Sequence, residues 1–225
     1  VDGITCLLAI MLFVRVLNPK KAPSKESPGA VLKNSAYRDR IYWIFVLSML
    51  LFGMAFMQFF SSVPLYYRDA HQLTELEIGL LFGGNGLLIF IVEMPLVKSL
   101  EKSSRSLESL MIIGAILVGF SFLAFNLTSW SGILVLSMIF MTIGEMILFP
   151  FSNAFAMKRA ERGNKGEYLA FYSMAFSFAH IFSHNGGLQL VDNVGYTNTW
   201  YIITGLLALA AVLLITLGRK TRSEH

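Results

Sequence analysis

The sequence of residues 109–144 is SLMIIGAILVGFSFLAFNLTSWSGILVLSMIFMTIG, 36 consecutive positions without an Asp, Glu, Lys or Arg. Three further uncharged stretches cover residues 41–67, 168–191 and 193–218, and they are 27, 24 and 26 residues long. About 20 apolar residues span a bilayer as a helix, so each stretch is long enough to cross once and the first is long enough to cross twice. The sequence therefore predicts a multi-pass membrane protein.

The composition of the whole chain agrees with this prediction. Of its 225 residues, 55% are hydrophobic and 14% are charged, and the mean hydropathy is +0.62. Soluble domains carry about 45–50% apolar and about 25% charged residues. These values exclude an ordinary soluble enzyme, a nucleic-acid-binding domain and a disordered segment. The net charge is +4, and the basic residues lie in the short segments between the apolar runs. We therefore attribute the charge to membrane topology and expect no nucleic-acid partner.

Six complete spans are predicted, at residues 41–66, 75–97, 107–126, 131–156, 167–190 and 198–218. Residues 1–17 are predicted to be the end of a preceding transmembrane helix, and residues 18–40 a cytoplasmic linker that contains three prolines. Residues 219–225 form a predicted cytoplasmic tail. Because the chain begins without Met, we expect it to be a fragment. The predicted fold class is an all-α membrane protein with a six-helix bundle over residues 41–218, since the alternating strands of a barrel are missing from the pattern.

The basic residues predict the orientation of the bundle. Of the 18 Lys and Arg, only Arg68 falls in the loops on one side, and the others fall on the opposite side. Positive charge accumulates on the cytoplasmic side of membrane proteins. We therefore expect a multi-pass protein of the cell (inner) membrane whose linker and C-terminus are cytoplasmic.

Polar side chains deep in the spans predict which helices line a path. The first, second, fourth and fifth spans carry such residues, and the third and sixth do not, so we expect the last two at the lipid-facing periphery. A period of three is expected of two three-helix repeats around a shared aqueous cavity. The predicted cavity residues are Gln58, Ser62, Asn85, Glu145, Phe149, Ser152 and His180. An alternative for Gln58, Ser62 and Asn85 is a hydrogen bond to a neighbouring helix.

Three titratable residues are candidates for proton coupling: Glu145, His180 and His184. Glu145 lies midway along its span, where a carboxyl group could hold a proton or a cationic substrate. The two histidines are spaced i, i+4 on the next span. With Glu145 they could form a metal site, but no HExxH-type motif is present, so we expect none. Glu93 stands near Pro95, and we expect it to have a structural role.

Five stretches resemble known sequence motifs. Residues 100–105, LEKSSR, resemble a degenerate L-D-R-x-G-R loop signature. Residues 144–150 and 166–173, GEMILFP and GEYLAFYS, are similar to those of proton-driven drug-efflux carriers. Residues 183–187, SHNGG, and 192–195, DNVG, stand where many relatives have Gly-Pro-x-x-Gly and then Asp-x-x-Gly. Together with the topology, these stretches resemble the C-terminal half of the major facilitator superfamily over essentially the whole chain.

The resemblance implies a position for each span and a role for one loop. The six spans would be helices 7–12 of a twelve-helix carrier, preceded by the end of helix 6 and facing a missing N-terminal six-helix half. Glu101, Lys102 and Arg105 would form a charge clasp at the cytoplasmic gate. In this chain Ser183-His184 replaces Gly-Pro, which places a titratable group where the family usually has a rigid bend. The coupling chemistry of a typical member therefore need not transfer.

The function expected from these residues is secondary active transport of a small organic solute by alternating access. We favour proton-coupled efflux of amphipathic compounds, with the proton gradient as driving force, no cofactor and no enzyme activity. The expected partners are membrane lipid and a small-molecule substrate. One alternative is proton-coupled uptake of a sugar or other polar nutrient, bound by Gln58, Asn85 and Asn153. Minor alternatives are an intramembrane metalloenzyme using His180, His184 and Glu145, and a non-transporting receptor built on a carrier fold.

Overall fold

The computed structural model describes residues 35–128 and 130–224, so the helix end predicted at residues 1–17 and the linker up to residue 34 lie outside the described residues. A short 3₁₀ helix, Ala36–Arg38, precedes six α-helices. They are α1 Arg40–Phe56, α2 Gln58–His71, α3 Glu75–Glu101, α4 Leu107–Ala124, α5 Gly132–Ala160 and α6 Lys165–Arg222. The described part of the chain contains no strand. The prediction of an all-α fold is confirmed.

Helices α1 and α2 form one membrane crossing, 32 residues long from Arg40 to His71, with a break at Met57. The uncharged run that predicts this span gives no sign of the break, because the one proline, Pro64, lies a full two turns beyond it. Helices α3, α4 and α5 are each long and apolar enough to cross a bilayer.

The longest helix, α6, turns back on itself at Gly195. A straight helix of its 58 residues would be about 90 Å long, yet both of its ends meet at Asp39 and Arg159. The hydroxyl of Tyr168 donates to Asp39, and Glu224 accepts from Arg159, which also binds Asp39. Gly195 has φ 77° and ψ 167°, a conformation that is essentially restricted to glycine.

Helix α6 therefore consists of a first limb, residues 165–194, and a second limb, residues 196–222. With the two limbs counted separately, the bundle has six membrane-crossing segments. This number agrees with the six-helix bundle that the sequence predicts.

One end of the bundle, called the basic end below, carries the starts of α1, α4 and α6 and the ends of α3, α5 and α6.

Small residues allow close packing between the crossings. A Cβ added to Gly114 of α4 would lie 2.8 Å from the carbonyl oxygen of Gly144 on α5. Similarly, a Cβ on Gly53 of α1 would lie 2.8 Å from that of Ala179 on the first limb of α6. These helix pairs pack almost backbone to backbone.

The expectation that α4 lies at the lipid-facing periphery stays a prediction. Helix α4 is more than half buried, because its small residues let it pack against both α5 and the second limb of α6. Helix α3 is the most exposed crossing, and Asn85 is its one buried residue. Its Phe90 side chain is 85% exposed. The helix that contributes Asn85 to the predicted cavity is thus the crossing that this bundle leaves most uncovered.

Candidate functional site

The predicted cavity residues lie near mid-length of the crossings. Gln58 on α2 and Glu145 on α5 are each 13 residues from the helix ends at His71 and Gly132, on the side away from the basic end. At the rise of an α-helix this is about 20 Å. The two side chains therefore lie at a similar depth.

Gln58 bridges α2 and the first limb of α6. Its Nε2 donates to the carbonyl and to the hydroxyl oxygen of Ser183, at 2.9 and 2.6 Å, and its Oε1 accepts from Ser62 at 2.6 Å. The hydroxyl of Ser183 in turn donates to the carbonyl of Met54, next to the break at Met57. A Cβ on Gly187 would overlap the Gln58 amide, so glycine at this position makes room for the bridge. Gln58 thus makes the helix-to-helix bond of the alternative interpretation, whereas Ser62 bonds to Gln58 within α2.

We expect Ser183→Ala to destabilise the full-length protein by about 1–3 kcal/mol, the usual cost of leaving a buried polar group unpaired. The change removes one acceptor from Gln58 and the side-chain donor to Met54. Thermal unfolding in detergent measures it. Ser177→Ala is the matched control, because the exposed Ser177 hydroxyl donates only to the Ser173 carbonyl of its own helix. Equal loss of stability in both variants would contradict a role for Ser183 at the break.

Asn85 and Glu145 lie between α3 and α5. The Oδ1 of Asn85 accepts a hydrogen bond of 2.8 Å from the hydroxyl of Thr142. Glu145 follows Thr142 by about one turn and is only 7% exposed, and its Oε1 has no hydrogen-bond partner among the described residues. Glu93 lies about two turns beyond Asn85 on α3, towards the basic end. A buried carboxyl group without a protein partner is stable only when it carries a proton or binds a cation.

Phe149 lies one helical turn from Glu145, towards the basic end. Its ring centroid is 5.0–5.8 Å from those of three other phenylalanines on α1 and the first limb of α6, namely Phe52, Phe56 and Phe176. Ser152 follows Phe149 and shares a hydrogen bond of 2.8 Å with the hydroxyl of Tyr172. Both residues therefore connect α5 to its neighbours, and the four phenylalanines form an aromatic cluster beside Glu145.

His180 and His184 are both exposed on the first limb of α6. With Ser173 and Ser177 they follow the spacing i, i+4, i+7, i+11, which places four polar side chains on one face of a helix. The structure does not bring the histidines together with the buried Glu145. Within residues 35–128 and 130–224, no three His, Cys, Asp or Glu side chains are grouped closely enough to hold a metal ion. The three-ligand site considered in the metalloenzyme alternative is therefore not formed.

The predicted gate-loop residues Glu101, Lys102 and Arg105 lie at the exposed connection from α3 to α4. No ion pair joins Glu101 to Lys102 or Arg105 in the part of the chain that the structure describes. The charge clasp that the resemblance implies stays a prediction.

The basic end also contains a buried ion-pair cluster that the sequence analysis does not predict. The Arg159 side chain is 7% exposed, and its guanidinium donates to both carboxylate oxygens of Asp39, at 2.6 and 2.8 Å. It also donates to both oxygens of Glu224, at 2.6 and 3.0 Å. The hydroxyl of Tyr168 donates to Asp39 at 3.0 Å. This Arg159 cluster joins the start of α1, the end of α5 and both ends of α6.

The two carboxyl groups of the Arg159 cluster are held in their charged forms. Burial by itself would raise the pKa of Asp39, but the hydrogen bonds from Arg159 and from the backbone of Tyr42 outweigh it, and the pKa lies below its ordinary value. The hydrogen bond from Arg159 likewise lowers the pKa of Glu224. A sequence signal existed: Arg159 continues the i, i+4 spacing of the buried residues Phe151 and Phe155.

Comparison with known proteins identifies relatives. The family model described as Major Facilitator Superfamily matches residues 1–184 and 110–225. The chain is 23% identical over 167 residues to the "Na(+), Li(+), K(+)/H(+) antiporter" of Planococcus maritimus, a match of 68% of this chain and 38% of the relative. Two proteins of Bacillus subtilis are also similar, the "Uncharacterized MFS-type transporter YttB", 28% identical over 73% of this chain, and the "Uncharacterized MFS-type transporter YqjV", 29% identical over 94%.

The matches cover 40% of YttB and 54% of YqjV, so the chain spans about half or less of the length of these curated relatives. No solved structure matches the chain. The members of the matched family are transporters and not enzymes, which removes the intramembrane metalloenzyme hypothesis. The apolar, membrane-crossing helices of the described residues and the match of the family model along the chain lead to one conclusion: the chain belongs to the Major Facilitator Superfamily of secondary transporters.

Proposed function

We propose that the protein exports cationic, amphipathic solutes in exchange for protons by alternating access. The observation that carries this proposal is the buried carboxyl group of Glu145, at mid-length of a membrane-crossing helix, whose Oε1 has no hydrogen-bond partner within residues 35–128 and 130–224. Such a group is stable when it is protonated or when a cation neutralises it. A site that holds either a proton or a cationic solute, and not both, couples the movement of one to that of the other.

The proton gradient is sufficient for this exchange. Exchange of one proton for one monovalent cation moves no net charge, so the pH difference across the membrane drives it. At about 1.4 kcal/mol per factor of ten, a pH difference of about one unit supports a concentration ratio of roughly tenfold. No nucleotide-driven step is therefore needed, and the proton carried by Glu145 accounts for the work.

The aromatic cluster around Phe149 supports the choice of an amphipathic cation. Phe149 is one turn from Glu145 and contacts phenylalanines of α1 and α6. The chain of aromatic contacts continues from Phe56 to Phe60, which is 57% exposed. Aromatic faces attract cations and bury apolar groups. A carboxyl group beside such a surface suits a solute with one positive charge and a large apolar body.

The exposed side of α3 supports an alternating-access arrangement. Glu93 is part-exposed on this helix, and almost none of the helix is buried within the bundle. A charged group rarely faces lipid, so this side is better suited to a cavity. We propose that it faces a second six-helix unit of the same protein, with the aqueous path between the two units. The protein would lie in the cell (inner) membrane, with the basic end on the cytoplasmic side.

A second candidate is exchange of an alkali cation for a proton at the same carboxyl group. Besides Glu145, the interface of α3 and α5 presents the oxygen atoms of Asn85 and Thr142. Hard cations prefer oxygen ligands of this kind. The relative from Planococcus maritimus is named as an antiporter of Na⁺, Li⁺ and K⁺ against H⁺, which favours this candidate independently.

Dissipation of a pH gradient distinguishes the two candidates. The full-length protein is reconstituted in liposomes with an acidic lumen and a pH-sensitive dye, and ethidium, NaCl or glucose is added outside. We expect ethidium to speed the loss of the gradient relative to protein-free liposomes and to choline chloride. A response to NaCl alone would establish the second candidate instead. A response to glucose alone, or none at all, would overturn the proposal of cation–proton exchange.

A further inference from the structure

A cavity of about 240 Å³ lies at the basic end, between the start of α4, the end of α5 and the end of α6. Four basic side chains line it, Arg105, Lys158, Arg159 and Arg162, together with one carboxyl group, that of Glu108. At about 30 Å³ per water molecule, this volume would hold roughly eight waters. The space is therefore large enough for a small polyatomic anion and its hydration.

The basic side chains of this cavity differ in how many hydrogen-bond donors they have left. Arg159 is engaged, since it donates to both oxygens of Asp39 and of Glu224. Arg162 donates to Glu224 through Nη1 alone. Arg105 and Lys158 make no ion pair with any described residue.

Three cationic groups with uncommitted donors therefore line one cavity, and Glu108 is the one carboxyl group among its lining residues. The hydroxyl groups of Ser106 and Thr221 also line it. The acceptor oxygens of a phosphate group are arranged tetrahedrally and can bind several cationic groups at once, whereas a planar carboxylate is satisfied by a single bidentate arginine. From this arrangement we infer that the cavity binds a phosphate group.

Two sources could supply this group, and the same residues would recognise both. One is the headgroup of an anionic phospholipid, because basic pockets at the ends of transmembrane helices lie at the depth of lipid phosphates. The other is a free phosphate or a soluble phosphate ester. The apolar side chains of Leu107 and Phe155, which also line the cavity, are compatible with either. This inference does not depend on Glu145 or on the solute that is transported.

Binding is measured on the full-length protein in detergent by two methods. Thermal unfolding is followed against inorganic phosphate at constant ionic strength, with chloride as the reference. Native mass spectrometry compares retention of phosphatidylglycerol with that of phosphatidylcholine. Stabilisation by inorganic phosphate identifies a soluble ligand, and retention of phosphatidylglycerol alone identifies a lipid headgroup. If neither phosphate nor phosphatidylglycerol binds, the inference is wrong.

Variants separate a built site from general positive charge. Arg105→Gln and Lys158→Gln each remove one charge-assisted hydrogen bond, and we expect each to weaken binding about tenfold. Lys220→Gln is the matched control, because the exposed Lys220 carries the same charge next to Thr221 but does not line the cavity. Equal weakening in the control would show only a general attraction of anions and would overturn the inference.

Glu108→Gln provides a test in the opposite direction. It removes the one carboxylate among the lining residues, so binding of the phosphate group should become several-fold tighter. A substitution that merely disturbs folding cannot produce this gain. Weaker binding in Glu108→Gln, with an unchanged unfolding temperature in the absence of ligand, would contradict the inference.

Discussion

Replacing Glu145 by glutamine is expected to lower proton-coupled transport by about 100-fold or more, which is the scale of losing a positioned acid–base group. Glutamine has the shape of a protonated glutamic acid but can neither release a proton nor carry a negative charge. The variant could therefore neither bind the cation through a carboxylate nor carry a proton back across the membrane. The fold should be retained, because the variant removes a buried ionisable group and leaves no cavity.

Two measurements on Glu145→Gln separate loss of coupling from loss of folding. Ethidium-dependent dissipation of the pH gradient reports on transport, and the unfolding temperature reports on folding. Glu75→Gln is a control, because the exposed Glu75 lies in the first turn of α3, away from the basic end. Coupled transport that is unchanged in Glu145→Gln would remove this residue from the mechanism. If coupled transport falls much further in Glu93→Gln than in Glu145→Gln, the proton carrier is Glu93 and not Glu145.

The number of membrane crossings could be predicted because it depends on local composition. Each uncharged run between loops of basic residues corresponds to one crossing or to two. The break at Met57 could not be predicted, because no glycine or proline adjoins it and Ser183, which supports it, is 125 residues from Gln58. Gly195 lies between two predicted spans, so the turn was expected there. Its φ of 77° explains why the position is a glycine.

Predictions of individual site residues depend on how each helix is rotated, which composition does not give. Glu145 stands out in the sequence because it is the one charged residue in its span. Gln58 and Ser62 are also polar residues within a span, but in the structure Ser62 donates to Gln58 and Gln58 donates to Ser183. For Arg159 the sequence gives the opposite impression. It follows an apolar run, which is typical of an exposed basic residue in a cytoplasmic loop, whereas in the structure it forms the centre of a buried ion-pair cluster.

Replacing Arg159 by glutamine is expected to destabilise the protein by about 3–5 kcal/mol. Removing one partner of a buried ion pair leaves the other charge without compensation, and Asp39 is 9% exposed at its side chain. The variant also loses both hydrogen bonds to Glu224. Arg162→Gln is the matched control: its side chain is 39% exposed and, in the described part of the chain, pairs only with Glu224, so its loss should cost less than about 1 kcal/mol. Similar unfolding temperatures for the two variants would contradict the central place of Arg159.

The pH dependence of stability gives an independent test of the same pair. Because the pKa of Asp39 in the folded protein lies below its ordinary value of 3.8, the pair stabilises the fold fully well above that pH. The stabilisation is lost as the pH falls from about 4 through the folded pKa, where protonation favours unfolding. Asp39→Asn should be less stable than the wild type at pH 7 and should lose less stability on acidification. Unfolding temperatures measured from pH 7 to pH 3 decide the point, and parallel curves for the two proteins would show that Asp39 does not carry this dependence.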